Sequence, residues 1–368
     1  MATRSLKIKL MINSMVAICL YAHPVSAEAS NYKTKSVKYL LRDYAKNHDL
    51  SGTILVEQKG SVIYKNSFGF SDRTFDIPAR NDTRYRIMSL TKTFTSTIIL
   101  QLFEEGKIRL NDNILTYLPD FHGEGARQIT VQNLLNHTSG LPQFDVAKTR
   151  EDGNRLGLPM YERLQSSDQI VKRYCTGKAV HPPGETFDYN NCDYIVLGQI
   201  IEKITQLKYD EALDQRILSP VGMADSGVKY QKEIVKNLAN SYYRLAPNGQ
   251  VFNDMPLYNE NLSAAGAMYS TAGDIMKFAK ALFNGRLLNS ATLKLMLTPG
   301  LGEYGDGIWI RTFGPQKTRL VERYGKSSGM NILLSVFPEQ DTTIIIISNT
   351  SDLDVTGLRN KIAQAIIK

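Results

Sequence analysis

The chain has 368 residues, enough for one large two-lobed unit or two to three average domains. Its 42% hydrophobic and 22% charged content is ordinary for a folded globular protein and excludes a largely disordered or fibrous chain. The formal charge is +8, but no dense Lys/Arg run supports nucleic-acid binding.

Arg4, Lys7 and Lys9 precede a short apolar run, LMINSMVAICLYA, and Val25-Ser26-Ala27 offers small residues for cleavage. This pattern reads as an export signal over residues 1–27. The run is too short for a stable transmembrane anchor, and Ile18 stands where a lipoprotein signal wants a small residue before Cys19. Cleavage near Ala27 would leave the protein periplasmic or secreted. It removes three basic and no acidic residues, so the formal charge falls from +8 to +5. Cys175 and Cys192 remain, and either pair across a modest loop or stay as two free thiols. Five scattered histidines and no Cys/His ligand spacing predict no metal site and no cofactor built on one.

SGTILVEQKGSVIYKNSFGFSD (51–72) holds two β-rich runs around Lys59-Gly60, a hairpin signal. In TKTFTSTIILQLFEEG, Phe94, Ile98 and Leu102 fall four apart, as do Ile99 and Phe103, predicting a helix buried on a broad face and stopped at Gly106. Residues 111–259 read as helices and loops, among them ITVQNLLNHTSG with its Thr130 cap and YIVLGQIIEKIT (194–205). A Thr271-capped helix then runs to Gly285. Four strand-like runs follow, GIWIRTF, TRLVERY, NILLSVF and TTIIIIS, and DVTGLRNKIAQAIIK closes the chain as an amphipathic helix. The consecutive Ile344 to Ile347 suit a central strand buried on both faces. This order predicts an α/β (α+β) fold. Residues 28–110 and 260–368 build a sheet from both chain ends, with helices on its faces, and 111–259 form a mostly helical inserted lobe. A cleft between the lobes would take a ligand. Trp309 is expected to pack between strand and helix, and His137 to be structural.

Three short patterns carry chemistry. Ser89 and Lys92 lie at the start of the first apolar helix, one turn apart. A helix N-terminus supplies unsatisfied N–H groups and a positive dipole end, and a buried lysine one turn on can serve as base to the serine. Ser30/Lys33 and Ser226/Lys229 share the spacing, but neither opens an apolar helix. Tyr189 and Asn191 stand on a loop just before a helix, so phenol and amide can enter one cleft. Tyr64/Asn66 repeat that spacing inside a predicted strand. Lys326-Ser327-Ser328-Gly329 lies between two strand-like runs. There Lys326 and Ser327 would meet a carboxylate and Gly329 would allow close backbone approach; a hairpin turn with a solvated lysine is the competing reading.

Together these segments resemble the penicillin-recognising serine hydrolases: class C β-lactamases, serine D-Ala-D-Ala carboxypeptidases and related esterases, marked by Ser-x-x-Lys. YRIMSLTKTFTSTIILQLFEEGKIRLNDNILTYLPDF, ITVQNLLNHTSGLP, PPGETFDYNNCDYIVLGQIIEKIT, LSPVGMADS and AAGAMYSTAGDIMKFAKAL are similar to family stretches in the family's order, over roughly residues 45–350. The resemblance implies a β-lactamase/transpeptidase-like fold with an antiparallel sheet and a cofactor-free acyl-enzyme mechanism. Ser89 would be the nucleophile, Lys92 its base and Tyr189 the proton relay. Asn191 would contact the substrate amide, and Lys326 would bind substrate charge and depress the Tyr189 pKa. The N–H groups of Ser89 and Gly329 would form the oxyanion hole. Two residues depart from the pattern: Met88 precedes the nucleophile where a small residue is usual, and Ser328 stands where Lys-Thr-Gly or His-Thr-Gly ends in glycine. Expected substrates are D-amino-acid peptides such as peptidoglycan stem peptides, β-lactams or esters. A penicillin-binding sensor that acylates without turnover is the non-enzymatic alternative.

Overall fold

The computed structural model describes residues 25–144, 158–244 and 249–367. The expected leader lies outside these residues except for Val25–Ala27, which open a long first helix, α1 (Val25–Asn47). No helix among the described residues is long and apolar enough to cross a membrane.

Six antiparallel strands form the central sheet: β1 (Gly52–Gln58), β2 (Ser61–Phe68), β3 (Trp309–Phe313), β4 (Thr318–Lys326), β5 (Asn331–Phe337) and β6 (Thr342–Ser348). Their spatial order is β3-β4-β5-β6-β1-β2, so the two chain ends meet where β1 pairs with β6, Gly52 opposite Ser348. The β1–β2 turn works because Lys59 (φ 52°) and Gly60 (φ 73°) both take the left-handed conformation that a two-residue hairpin needs.

Strand alternation sorts the side chains into two layers. On β6, Ile345 and Ile347 face an inner layer, while Ile344 and Ile346 face an outer one. On β4 the inner side takes Val321 and the outer side Leu320. α1 and α5 (Val355–Ile366) cover the outer face through Val37, Leu41, Ile362 and Ile366. Against the inner face packs α4 (Ala272–Phe283); α2 (Thr91–Glu104) joins the same core with its Phe94 ring stacked 3.8 Å from Phe278, and α3 (Asn191–Thr205) packs on α2.

α2 is buried more completely than its apolar spacing implies, because Thr91, Thr93, Thr95, Ser96 and Thr97 are buried too. Their hydroxyls find partners inside the protein. Thr93 Oγ1 donates to the Gly307 carbonyl and Thr95 Oγ1 to the Ala264 carbonyl. Phe103 alone of the expected apolar set reaches the surface. The 111–259 segment also contributes strand: Gly227–Val228 joins Tyr85–Arg86 and Met268–Ser270 in a three-stranded sheet that leads directly into the nucleophile turn.

Candidate active site

After Tyr85–Arg86 the chain makes one 3-10 turn, Met88–Leu90, and passes into α2. Half-buried Ser89 sits in this turn, and Lys92 lies in the first turn of α2. Met88 adopts φ 49°, a left-handed conformation that costs a non-glycine residue about 1–2 kcal/mol. The turn is closed by Thr91 Oγ1 donating to the Met88 carbonyl at 2.7 Å.

The Lys92 side chain is fully buried. Its Nζ donates to Asn191 Oδ1 (2.6 Å) and to the Ala265 carbonyl (2.8 Å), and lies 3.2 Å from Ser89 Oγ. Asn191 is therefore a partner of Lys92 within the site. Ser226 and Lys229 form no such pair: Ser226 Oγ bonds Asp274 Oδ2, and Lys229 Nζ donates to the Glu233 carbonyl.

Tyr189 is held by the loop entering α3. Asn190 caps that helix by accepting from the Cys192 N–H (2.8 Å) and donates to the Leu141 carbonyl (2.6 Å). His137 pins the loop on the other side. Its carbonyl accepts from the Asp188 N–H, and its ring Nδ1 lies 3.2 Å from the Asn190 N–H and 2.7 Å from Asp193 Oδ2. Burial pushes the His137 imidazole down, helped by the charges of Lys92 and Arg323. Burial likewise pushes the Asp193 carboxyl up. Both shifts favour the uncharged forms of the two groups. Cys175 and Cys192 form a disulfide that ties the first turn of α3 to the segment Val171–Cys175.

The third element differs from the sequence reading. The residue that meets the Tyr189 phenol is Arg323, fully buried, with Nη2 donating to the Tyr189 hydroxyl (2.8 Å), Nη1 to the Tyr304 hydroxyl (2.6 Å) and Nε to the Ser89 carbonyl (2.8 Å). β3 pairs with β4 only as far as Glu322, so Arg323–Lys326 is an open edge on that side, and it packs on the nucleophile turn. At Gly325 a Cβ would sit 2.1 Å from the Ile87 carbonyl oxygen, so only glycine fits. Arg323 and Gly325 share the inner-facing parity of Val321. Lys326 has the opposite parity, with Glu322 and Tyr324, which bond Arg359 and Thr356 of α5. Lys326 is exposed, and among the described residues its ammonium has no hydrogen-bond partner. Ser327 Oγ accepts from the Met330 N–H inside the β4–β5 turn, Ser328 Oγ bonds Asp254, and Gly329 packs on Asp254 and Ser241. Lys326, Ser327, Ser328 and Gly329 thus make no hydrogen bond to Ser89, Lys92 or Tyr189 among the described residues. Arg323-Tyr324-Gly325 supplies the basic-x-Gly pattern three residues earlier.

Trp309 is also corrected. Instead of filling space between strand and helix, it stacks on Tyr189 (centroids 5.9 Å) and lies beneath the Arg323 guanidinium (5.0 Å). Two tyrosines share that guanidinium but titrate apart. Burial would raise both phenols. For Tyr189 the opposing charges of Arg323 and Lys92, with bonds from Lys92 and Ser89, bring it down to about 8. Tyr304 lacks the lysine and stays raised, a neutral phenol. Among the described residues no cluster of three or more His, Cys, Asp or Glu side chains is placed to hold a metal ion.

A nucleophile, a buried amine and an acidified phenol on one hydrogen-bonded network suit acyl transfer. The Beta-lactamase family model matches residues 37–367. The chain belongs to the Beta-lactamase family. Like other members of this family it is a serine hydrolase with the β-lactamase/transpeptidase-like fold. The putative penicillin-binding protein PbpX of Bacillus subtilis is 29% identical over 91% of this chain and 80% of its own length. A penicillin-binding protein from Bacillus halodurans superposes with a TM-score of 0.75 at 26% identity, covering 89% of this chain and 97% of that one. The D-amino acid amidase of Ochrobactrum anthropi SV3, at 24% identity, shares the fold with a TM-score of 0.74 over 91% of this chain and 98% of its own. Met88, just before the nucleophile, holds a positive φ under strain, a conformation that glycine adopts freely.

Proposed function

We propose that this protein is an exported hydrolase that cleaves an amide or ester bond of D-amino-acid-derived substrates through a covalent ester on Ser89. The observation that carries this reading is the arrangement around Lys92. Two of its hydrogens are spent on Asn191 Oδ1 and the Ala265 carbonyl, which leaves its remaining tetrahedral position on the side of Ser89 Oγ, 3.2 Å away, and of the Tyr189 phenol that it also bonds. In its amine form Lys92 would take the serine proton as Oγ attacks the substrate carbonyl carbon. The Ser89 N–H, at the mouth of α2, would meet the developing oxyanion, joined by a donor from the open edge of β4 beside Gly325. Tyr189 would carry the proton to the departing nitrogen or oxygen, an acid–base task suited to a phenol near 8. Water would then attack the ester, with the same groups in reverse.

Penicillin-binding relatives at 29% and 26% identity favour D-amino-acid peptides and β-lactams as acyl donors, with peptidoglycan as one source. Export is supported by the basic and apolar N-terminal run and by the Cys175–Cys192 disulfide, which persists in oxidising compartments. The sensor alternative rested on Met88 and Ser328, and it loses half its ground because Ser328 bonds Asp254 in the β4–β5 turn. The test is intact-mass analysis of the protein incubated with a fluorescent penicillin and with a chromogenic ester. An adduct on Ser89 that turns over supports a hydrolase. A stable adduct without turnover supports the sensor. Labelling and turnover unchanged in Ser89→Ala would remove Ser89 from the site. Lys92→Ala is expected to slow acylation by about a thousandfold or more, and a loss under about tenfold would sink the lysine-base mechanism.

A further inference from the structure

Away from the cleft, charged side chains gather on the opposite face of the sheet. Glu322 of β4 is fully buried there and accepts three hydrogen bonds. Arg311 Nη1 (2.9 Å) and the Tyr324 hydroxyl (3.0 Å) meet Oε1, and Arg359 Nη1 (2.7 Å) meets Oε2. Arg311 comes from β3 and Arg359 from α5, so one carboxylate holds two guanidiniums together. The carboxylate is satisfied, but the arginines are not. Arg359 is only 4% exposed. Its Nε donates to Asn360 Oδ1 (2.9 Å), and its Nη2 meets no acceptor among the described residues. Arg311 Nη2 also meets none, and Arg311 Nε lies 3.6 Å from Glu303 Oε2, beyond hydrogen-bond range.

Arg311, Glu322 and Arg359 line a pocket of about 510 Å³ between α5 and the β3–β4 turn, within the size range of small-molecule sites. Phe313, Leu320 and Ile367 supply apolar surface to it, and the exposed Gln316 and Gln364 stand at its rim. Two guanidiniums against one buried carboxylate leave the cluster one positive charge. Glu303 does not cancel it, because its side chain is 67% exposed and water screens it. A buried cation stays costly until its charge is answered and its N–H groups find acceptors. One further carboxylate does both, since its two oxygens take paired N–H groups from a guanidinium. A neutral ligand would leave the charge, and a dianion would overshoot it.

We propose that this pocket is a binding site for an organic monocarboxylate with a small apolar body, its carboxylate on Arg311 and Arg359 and its body against Phe313 and Ile367. Glu322 is the strut that presents the two guanidiniums. The site is separate from Ser89: it lies on the outer face, with Glu322 and Tyr324, while Arg323 faces the nucleophile turn. It stands whether or not the acyl-transfer reading does. The chain carries its own reporter. Trp309, the single tryptophan, has the Arg311 guanidinium 5.6 Å from its ring centroid, so a ligand that draws Arg311 changes the surroundings of the indole.

The test titrates the protein with benzoate and with benzamide, its uncharged match, following Trp309 fluorescence and the heat of binding. Benzoate is expected to bind saturably with Kd below about 1 mM and about tenfold or more tighter than benzamide. Arg311→Gln keeps the Arg359–Glu322 pair and should weaken benzoate binding about tenfold or more. Gln364→Glu sets a second negative charge at the rim of the pocket, on the helix that covers the outer face, and should weaken it about fivefold or more. Gln364→Lys should bind benzoate at least as well as the wild type. Thermal unfolding of each variant, expected within a few degrees of the wild type, checks that the fold is kept. Equal affinity for benzoate and benzamide, benzoate affinity indifferent to the charge at position 364, or no saturable binding overturns the inference.

Discussion

Removing Arg323 separates its electrostatic role from its structural one. In Arg323→Met the Tyr189 phenol keeps its burial and its Lys92 and Ser89 partners but loses the largest charge opposing that burial, so its value rises from about 8 toward the ordinary 10, which sets the upper limit of the effect. For a step that needs the deprotonated Lys92–Tyr189 network, the loss at that limit is the ratio of phenolate fractions: about 90-fold at pH 7, about tenfold at pH 9 and about twofold at pH 10. The sign follows from the direction of the shift, since a raised phenol recovers its deprotonated form only as pH increases. The assay is kcat/KM for a chromogenic ester across this range, with thermal unfolding run beside it because the Ser89 carbonyl and Tyr304 hydroxyl each lose a donor. Arg323→Lys, which keeps the charge, should retain a lower limb than Arg323→Met. A loss of the same size at every pH would mean that Arg323 only holds the nucleophile turn, and the phenol would then have no part in the rate.

The Arg323-Tyr324-Gly325 element predicts different outcomes at two glycines. Gly325→Ala drives a Cβ into the Ile87 carbonyl beside the nucleophile and should lower Tm by several degrees and abolish Ser89 labelling, whereas Gly329→Ala meets the Asp254 side chain and the Ser241 Cβ, so it should cost some stability but leave labelling of the folded protein in place. Equal labelling in the two variants would contradict it. Reducing the Cys175–Cys192 disulfide, which spans 17 residues, should cost about 3 kcal/mol of stability, read as a denaturant midpoint with and without reductant. An unchanged midpoint would show that the loop is held without it. At Met88, glycine is expected to be about 1 kcal/mol more stable than alanine, because the strained φ outweighs the entropy that glycine loses on folding. Met88→Ala matching or exceeding Met88→Gly in thermal unfolding would refute the strain.

Ser89, Lys92, Tyr189 and Asn191 were legible because each rides on a local signal: a serine and lysine one turn apart at the head of an apolar helix, and a tyrosine and asparagine two apart before another. The buried strand Thr342–Ser348 was legible from four consecutive isoleucines. At the third element the structure brings Arg323, three residues before Lys326, to the Tyr189 hydroxyl. Two basic residues, Arg323 and Lys326, and two glycines, Gly325 and Gly329, each offered a plausible basic-and-glycine pattern in a short strand. What separates them is parity against the sheet, and a one-residue slip in that parity exchanges the inner and outer faces. Val321 and Leu320, which the structure puts in opposite layers, mark that parity. The role of Trp309 and the choice between disulfide and free thiols were not legible, because both depend on contacts between segments far apart in the chain.

Three of the non-glycine residues with positive φ lie on the segments that build the network. Met88 precedes the nucleophile, His137 anchors the Tyr189 loop, and Ser263 (φ 41°) leads to the carbonyl that receives Lys92. Each is locked by a carbonyl acceptor bond: Thr91 Oγ1 to Met88, the Asp188 N–H to His137, and the Ala267 N–H to Ser263. Strained backbone persists only where its surroundings over-determine it. Here the surroundings are the buried hydroxyls of α2, the capped entry to α3 and the buried His137–Asp193 pair. Lys92 and Tyr189 are the groups that must move protons without moving themselves. The strain is therefore best understood as rigidity imposed on three loops that would otherwise relax, so that a buried network of polar groups keeps one geometry through acylation and deacylation.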